Sequence, residues 1–161
     1  MADTVDKNQA IIDFLSNCPA IKDNAVFFNF IKAKDNNKQI ATIATDKTLN
    51  TPYIDGSVLK RYEFTLIDYK SATYNPLVMT YTVGNENIDD MLDVQSIMDW
   101  VTAQAEARNY PNFGDACEID DMDVLTNMPN INGIDNSTSM PLAKYSFTIR
   151  IEYIDNTKRI F

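Results

Sequence analysis

The sequence predicts an α+β fold in which two helices pack on one face of a mainly antiparallel sheet. Apolar and polar residues alternate over residues 58–66 and 143–153, which is typical of half-buried strands. Apolar residues recur at helical spacing near the N-terminus and again over residues 87–109. The predicted strands run in groups with helices between the groups, which favours antiparallel pairing over a parallel α/β arrangement.

Length and composition predict one domain that covers residues 1–161. A chain of 161 residues matches the usual size of a single domain, about 100–200 residues. The hydrophobic fraction of 45% is high enough to build a core. We find no internal repeat, low-complexity segment or linker that would divide the chain.

The first predicted element is a short amphipathic helix. Asp3 or Thr4 can cap it, because a side-chain oxygen there accepts hydrogen bonds from the exposed amides of the first turn. Ile11 and Leu15 form its apolar stripe. Pro19 ends the helix, since the residue before a proline avoids helical backbone angles.

Strands follow this helix. An aromatic strand over residues 25–33, a polar turn at 35–38 and a strand over 39–45 predict a hairpin. The loop 46–56 ends in an Asp-Gly turn signal, and an alternating strand begins at Val58.

The second half of the chain contains the strongest helix. A strand is predicted over residues 77–83, and Asn87 then caps a helix that carries Trp100 and ends at Asn109 and Pro111. Because Trp100 lies beside a regular apolar stripe, we expect it to anchor the core.

Two strands are predicted after this helix. The first covers residues 117–125, and a turn-rich stretch over 127–139 separates it from the alternating strand at 143–153. The last of these is the most regular alternation in the chain.

Charge and composition exclude several classes of function. The formal net charge of −9 repels phosphate backbones and anionic membrane surfaces. The absence of His excludes His-dependent hydrolases, acyltransferases and zinc sites. With four glycines and no phosphate-binding loop, the sequence predicts no catalytic residues and no cofactor.

The N-terminus and the lack of a long apolar stretch indicate the cellular location. The polar N-terminus lacks a signal peptide, and no apolar stretch is long enough for a membrane span, so we expect a soluble protein made in the cytoplasm. Cys18 and Cys117 lie in no CxxC pair. They are either buried thiols or a single disulfide.

An acidic run at residues 118–123 admits two interpretations. Its carboxylates suit a divalent cation, but it lacks the glycine and the final glutamate of an EF-hand loop, and strand alternation would divide the acids between two faces. A solvated strand end or subunit edge is favoured, and the sequence predicts no metal ligand.

Aromatic residues near the central strands suggest an interface. Tyr62 belongs to the alternating strand and is expected in the core. Tyr53, Tyr69 and Tyr74 lie nearer to loops, where amphipathic rings are typical of protein interfaces.

Three segments together resemble the minor capsid, tail-completion and tail-terminator proteins of long-tailed phages and prophages of Gram-positive bacteria. They are the opening helix with its aromatic strand, the Asp55-Gly56-Ser57 turn that leads into an alternating strand, and the Trp100 helix with the closing strand. These segments cover most of the chain.

This resemblance implies a non-enzymatic virion subunit at the head–tail junction. It would form a ring homo-oligomer, expected to be a hexamer, that ends tail-tube polymerisation and contacts tail-tube and head-connector proteins. DNA would pass through the ring without specific binding, and the acidic composition fits such a lumen. Candidate contacts are the hairpin at 25–45 and the loop at 46–56. The candidate interface residues are Phe30, Lys34, Ile43, Tyr53, Ile54, Tyr69 and Tyr74.

Two alternatives remain at this point. The first is a divalent-metal-binding protein or enzyme that uses Glu118, Asp120, Asp121 and Asp123. The second is a cytoplasmic adaptor that binds a peptide along an exposed strand edge.

Overall fold

The computed structural model describes residues 6–21, 26–28, 37–71, 85–135 and 142–160. The predicted strand over residues 77–83 lies outside them. The described elements, in chain order, are α1 (Lys7–Leu15), β1 (Val26–Phe28), β2 (Lys38–Ile43), a 3₁₀ turn (Lys47–Leu49), β3 (Thr51–Pro52), β4 (Val58–Ser71), α2 (Asn85–Glu106), β5 (Cys117–Val124), β6 (Asn130–Asp135) and β7 (Leu142–Asp155).

A single sheet is built around the two long strands β4 and β7. These strands pair antiparallel along their whole length, from Val58 opposite Asp155 to Ser71 opposite Leu142. β2 and β3 pair with the free side of β4, whereas β5 and β6 pair with the free side of β7. All of these pairs are antiparallel, which confirms the predicted α+β class.

The predicted hairpin at residues 25–45 is wrong in the part that the structure describes. β1 pairs with β2 in parallel, with Val26 opposite Lys38 and Phe28 opposite Ile40. In a hairpin the two strands would run antiparallel, so the parallel pairing of β1 with β2 rules out a hairpin between these two described strands. The residues between them lie largely outside the described part of the chain.

The first helix begins later than predicted. Asp6 is its N-cap, and the Asp6 carboxylate accepts hydrogen bonds from the backbone amides of Asn8 at 2.9 Å and Gln9 at 3.4 Å. The predicted caps Asp3 and Thr4 precede the described residues. The helix ends at Leu15, four residues before Pro19, in agreement with a proline that cannot continue it.

Helix α2 also begins earlier than its predicted cap. It covers Asn85–Glu106, so Asn87 lies inside the helix. Its predicted end before Asn109 is confirmed, and the chain leaves the helix through Arg108, whose φ of 56° is left-handed. The backbone amide of Asn109 then donates to the Gln104 carbonyl at 2.8 Å, which closes the helix end.

Two strands lie where the sequence predicted only loops. β3 follows the 3₁₀ turn within the loop 46–56, and β6 lies within the turn-rich stretch 127–139. β3 has only two residues, and the pairing of β6 with β7 has a register shift between Ile131 and Ile134. Such strands depend on a long neighbour for their hydrogen bonds and leave little pattern in the sequence.

Both helices contribute to one apolar cluster with the inner face of the sheet. Trp100 packs on Phe14 of α1 with ring centroids 5.0 Å apart, so the predicted anchor joins the two helices. Tyr62 contacts the rings of Phe64 and Phe113, as expected for a core residue. The buried residues that β4 and β7 contribute to this cluster are Phe64, Leu66, Tyr145, Phe147, Ile149, Ile151 and Tyr153.

Candidate interaction surface

The turn between β3 and β4 is held rigid by its own hydrogen bonds. The backbone amide of Tyr53 donates to the Ser57 carbonyl at 2.8 Å, and that of Gly56 donates to the Tyr53 carbonyl at 3.1 Å. The Asp55 carboxylate accepts from both the amide and the hydroxyl of Ser57, at 3.0 and 2.5 Å. These hydrogen bonds lower the pKa of Asp55.

The C-terminal segment is bound to this turn by a hydrogen bond and an ion pair. The Ile160 amide donates to the Asp55 carbonyl at 2.7 Å, and Arg159 pairs with the Asp55 carboxylate at 3.2 Å. Gly56 has a φ of +89°, and a Cβ there would clash with the Lys158 carbonyl oxygen. Only glycine meets both requirements, because it tolerates left-handed angles and has no side chain.

The strand ends beneath the turn are joined by an ion pair. Lys60 of β4 lies 2.8 Å from the Asp155 carboxylate at the end of β7. Asp155 also accepts from the Thr157 amide at 2.9 Å. Partial burial opposes ionisation of Asp155, but the bonds from Lys60 and Thr157 outweigh it and lower the pKa of Asp155 well below its usual value.

This rigid corner presents apolar side chains to solvent. Ile54 is 95% exposed, Ile160 72% and Tyr53 43%. We call these three residues the loop-end surface. A shallow depression of about 540 Å³ lies beside them, lined in part by Glu118 and Ile154. Apolar side chains that a stiff turn exposes to water are typical of contact sites. Burying them against a partner removes apolar area from water, and little conformational entropy is lost because the turn is already ordered.

The structure brings together only part of the predicted interface set. Tyr53 and Ile54 lie on the loop-end surface, and Ile43 is 40% exposed at the end of β2. Tyr69 is only 3% exposed and therefore does not contribute to a surface of this chain. Phe30, Lys34 and Tyr74 lie outside the described residues.

One member of the loop-end surface was not predicted. Ile160 follows two basic residues near the C-terminus, and an apolar residue in so polar a segment is a signal that sequence analysis could have used. Its position against the turn could not be inferred, because it depends on the hydrogen bond that the Ile160 amide donates to the Asp55 carbonyl.

The acidic run forms an edge of the sheet. β5 pairs with β7 on one side, and a bulge at Asp120 interrupts their register. Glu118, Asp121 and Asp123 are exposed on the face away from the core, opposite Ile154, Glu152 and Arg150. Charged side chains and a bulge both discourage pairing with another strand.

Metal binding at this edge has no support in the geometry. Within the described ranges, no group of three or more His, Cys, Asp or Glu side chains lies close enough to hold a metal ion. Cys18 and Cys117 are both free, so the alternative of a disulfide between them is not realised. Burial raises the pKa of both thiols.

A buried ion cluster lies under α2, and the sequence analysis did not identify it. Lys38 and Asp68 are opposite each other on β2 and β4 with their charged atoms 2.9 Å apart, and both side chains are essentially inaccessible. Lys70 lies 3.7 Å from Asp68 and pairs with Asp93 of α2. The cluster thus ties the helix to the sheet.

The titration of this cluster reflects its burial. Burial raises the pKa of Asp68 to about 6, and Lys38 and Lys70 offset only part of that effect. Burial alone would lower the pKa of Lys70, but Asp68 and Asp93 raise it. Extending the alternation of β4 past Leu66 places residues 68 and 70 on the core face, which is the signal that could have located these charges.

No protein-family model matches the chain, and no curated protein matches its sequence. None of the helices in the described segments is long and apolar enough to cross a membrane.

Proposed function

We propose that this chain is a non-enzymatic phage or prophage virion subunit that acts at the head–tail junction. In this proposal it assembles into a ring that ends tail-tube polymerisation and contacts tail-tube and head-connector proteins. The observation that carries the proposal is the loop-end surface, where a rigid turn exposes Tyr53, Ile54 and Ile160.

The resemblance to tail-terminator proteins supports this choice. The Asp55-Gly56-Ser57 turn, which is part of that resemblance, is the turn that holds the loop-end surface. The closing strand is β7, the long partner of the strand that this turn precedes. Two of the three resembling segments therefore have residues beside the candidate contact site.

A ring requires a head-to-tail interface that closes on itself, so each subunit needs two different contact surfaces. The loop-end surface supplies one of them in this proposal. The face of the sheet opposite the apolar cluster carries the partly exposed ion pairs Arg150–Glu63 at 2.9 Å and Arg61–Glu152 at 3.4 Å. In this proposal that face is in contact with water. The acidic β5 edge fits a lumen through which DNA passes without binding.

The test is the mass of the purified protein over a concentration series, measured by light scattering after size exclusion, with negative-stain images of large species. We expect closed rings of about six subunits. Ile54→Glu should shift the protein towards monomer, because it places a charge in an apolar contact. Since Ile54 is 95% exposed, this substitution leaves the fold intact.

Leu92→Glu is the matched control. Leu92 is 60% exposed on α2, so the same charge is added at another exposed apolar position. The control should assemble like the wild type. The proposal would be contradicted if Ile54→Glu assembled as well as the wild type. It would also be contradicted if the wild-type protein stayed monomeric at every concentration.

A further inference from the structure

A groove lies between α1 and the C-terminal end of α2, away from the loop-end surface. Its volume is about 670 Å³, within the range of about 300–1,000 Å³ that is common for ligand sites. Asp6 and Asp13 of the α1 region form one wall, and the chain that leaves α2 at Asn109 and Tyr110 forms the other.

Aromatic rings form the apolar part of this groove. Phe14 and Trp100 lie between the two helices, and Tyr110 lines the far side. Trp100 and Tyr110 are only partly buried, so part of each ring remains accessible. Faces of aromatic rings attract cations through the ring quadrupole, and Trp does so most strongly.

The charged groups of the groove are all acidic. Asp6 and Asp13 line it, and none of the described residues that line it is Lys or Arg. Asp13 already accepts a hydrogen bond from Gln9 at 2.9 Å, which holds its carboxylate on the groove side of α1. An anionic ligand would be repelled, whereas a cation would meet two carboxylates and the aromatic rings together.

The chain itself places one guanidinium at this wall. Arg108 lies over the Tyr110 ring, with its Cζ 6.0 Å from the ring centroid. Arg108 does not line the groove, so the space between the helices stays open. The contact is one example of a guanidinium packed on an aromatic ring of this wall.

We propose that this groove binds an arginine side chain presented by an exposed segment of a partner protein. The guanidinium stacks on the accessible aromatic surface, and its N–H groups donate to Asp13, while the negative charge of Asp6 adds to the attraction. Arg suits the groove better than Lys because its planar group can stack and donate two parallel hydrogen bonds to one carboxylate. This site does not depend on ring assembly.

The probe is N-acetyl-arginine amide, titrated into the full chain with N-acetyl-citrulline amide as its uncharged isostere. Trp100 is the only tryptophan, so its fluorescence reports on the groove. We expect a saturable change with the arginine probe, weaker at high salt, and an affinity for citrulline at least about threefold lower. Chemical shifts of the Trp100 indole and the Gln104 side-chain amide provide a second readout.

Two variants locate the site. Asp13→Asn should weaken arginine binding about threefold, the effect expected for one exposed ion pair. Asp99→Asn is the control, because Asp99 accepts from Gln95 at 3.1 Å just as Asp13 accepts from Gln9, yet Asp99 does not line the groove. The control should bind like the wild type.

Three results would overturn the proposal. Equal binding of the citrulline probe would mean that charge has no role. Saturable binding of a neutral disaccharide such as cellobiose, without binding of arginine, would identify a sugar site instead. No saturable change in either fluorescence or chemical shift would mean that the groove takes no such ligand.

Discussion

Asp68 illustrates how one buried charge constrains this fold. Its carboxylate lies on the core face of β4, 2.9 Å from Lys38 and 3.7 Å from Lys70. Removing two charges from water costs free energy that their attraction recovers only when both partners are present. The cluster is therefore a point where a single substitution has a large effect.

We predict that Asp68→Asn lowers the free energy of unfolding by about 3–5 kcal/mol, because it removes the carboxylate that faces the buried Lys38 ammonium at 2.9 Å. The double variant Lys38→Met with Asp68→Leu should recover most of that loss, since an apolar pair leaves no unpaired charge between β2 and β4. Urea unfolding at pH 7 measures both.

Glu63→Gln is the comparison for this prediction. It breaks the Arg150–Glu63 pair on the outer face, which is partly exposed, so we expect a loss of less than about 1 kcal/mol. If Asp68→Asn costs no more than Glu63→Gln, the Asp68 carboxylate is hydrated in solution and the cluster is not buried as described.

Among the elements, the β4–β7 pair is the framework to which the others attach. It is the longest pairing in the described sheet, and β2, β3, β5 and β6 all use its outer edges. The Lys60–Asp155 pair closes it at the loop end, beneath the loop-end surface. The acid stability of this end depends on Asp155.

We predict that Asp155→Asn lowers stability by about 1 kcal/mol at pH 7, the value expected for a partly exposed pair. The native pKa of Asp155 is lower than its ordinary value of 3.8, so the unfolded chain binds the proton more readily. The stability from this pair is thus present above pH 4 and lost as pH falls below it. Denaturation at several pH values should show the wild type and variant converging in acid.

Asp46→Asn is the comparison for the size of the effect at pH 7. The Asp46 carboxylate caps the 3₁₀ turn by accepting from the Thr48 amide at 2.9 Å and has no part in the strand-end pair. It should change stability less at pH 7. Parallel curves for wild type and Asp155→Asn down to pH 2 would contradict the proposed role of Asp155.

For the whole molecule, the apolar cluster joins α1, α2 and the sheet. Residues of both helices, such as Leu15 and Ile97, are fully buried with Ile149 of β7. Elements that share one core cannot lose their packing separately without exposing each other's apolar surface. The sequence prediction of a single domain therefore has a direct test in the cooperativity of unfolding.

We predict that thermal or urea unfolding is one cooperative transition. Trp100 fluorescence, which reports the contact between the helices, should follow the same curve as far-ultraviolet circular dichroism, which reports all secondary structure. Two separated transitions would indicate that the helices and the sheet are independent units. Light scattering at each protein concentration distinguishes unfolding from dissociation of an oligomer.

Local patterns in the sequence determined the main elements of this protein. The alternation in β4 and β7 and the apolar stripes of the helices follow from side-chain periodicity, which each segment carries within itself. The α+β class, the end of α2 near Asn109 and the places of Trp100 and Tyr62 were predictable for that reason. The rigid turn at residues 55–57 was also visible as a turn signal.

Only the tertiary structure decided which elements became neighbours. The parallel pairing of β1 with β2 and the contact of Ile160 with the turn depend on residues that are not close neighbours in the chain. The same holds for the buried charges, since the burial of Asp68 becomes possible only when β2 brings Lys38 opposite it. Local periodicity determines which face of a strand or helix a side chain occupies. The pairing of separate segments determines which residues contact that face.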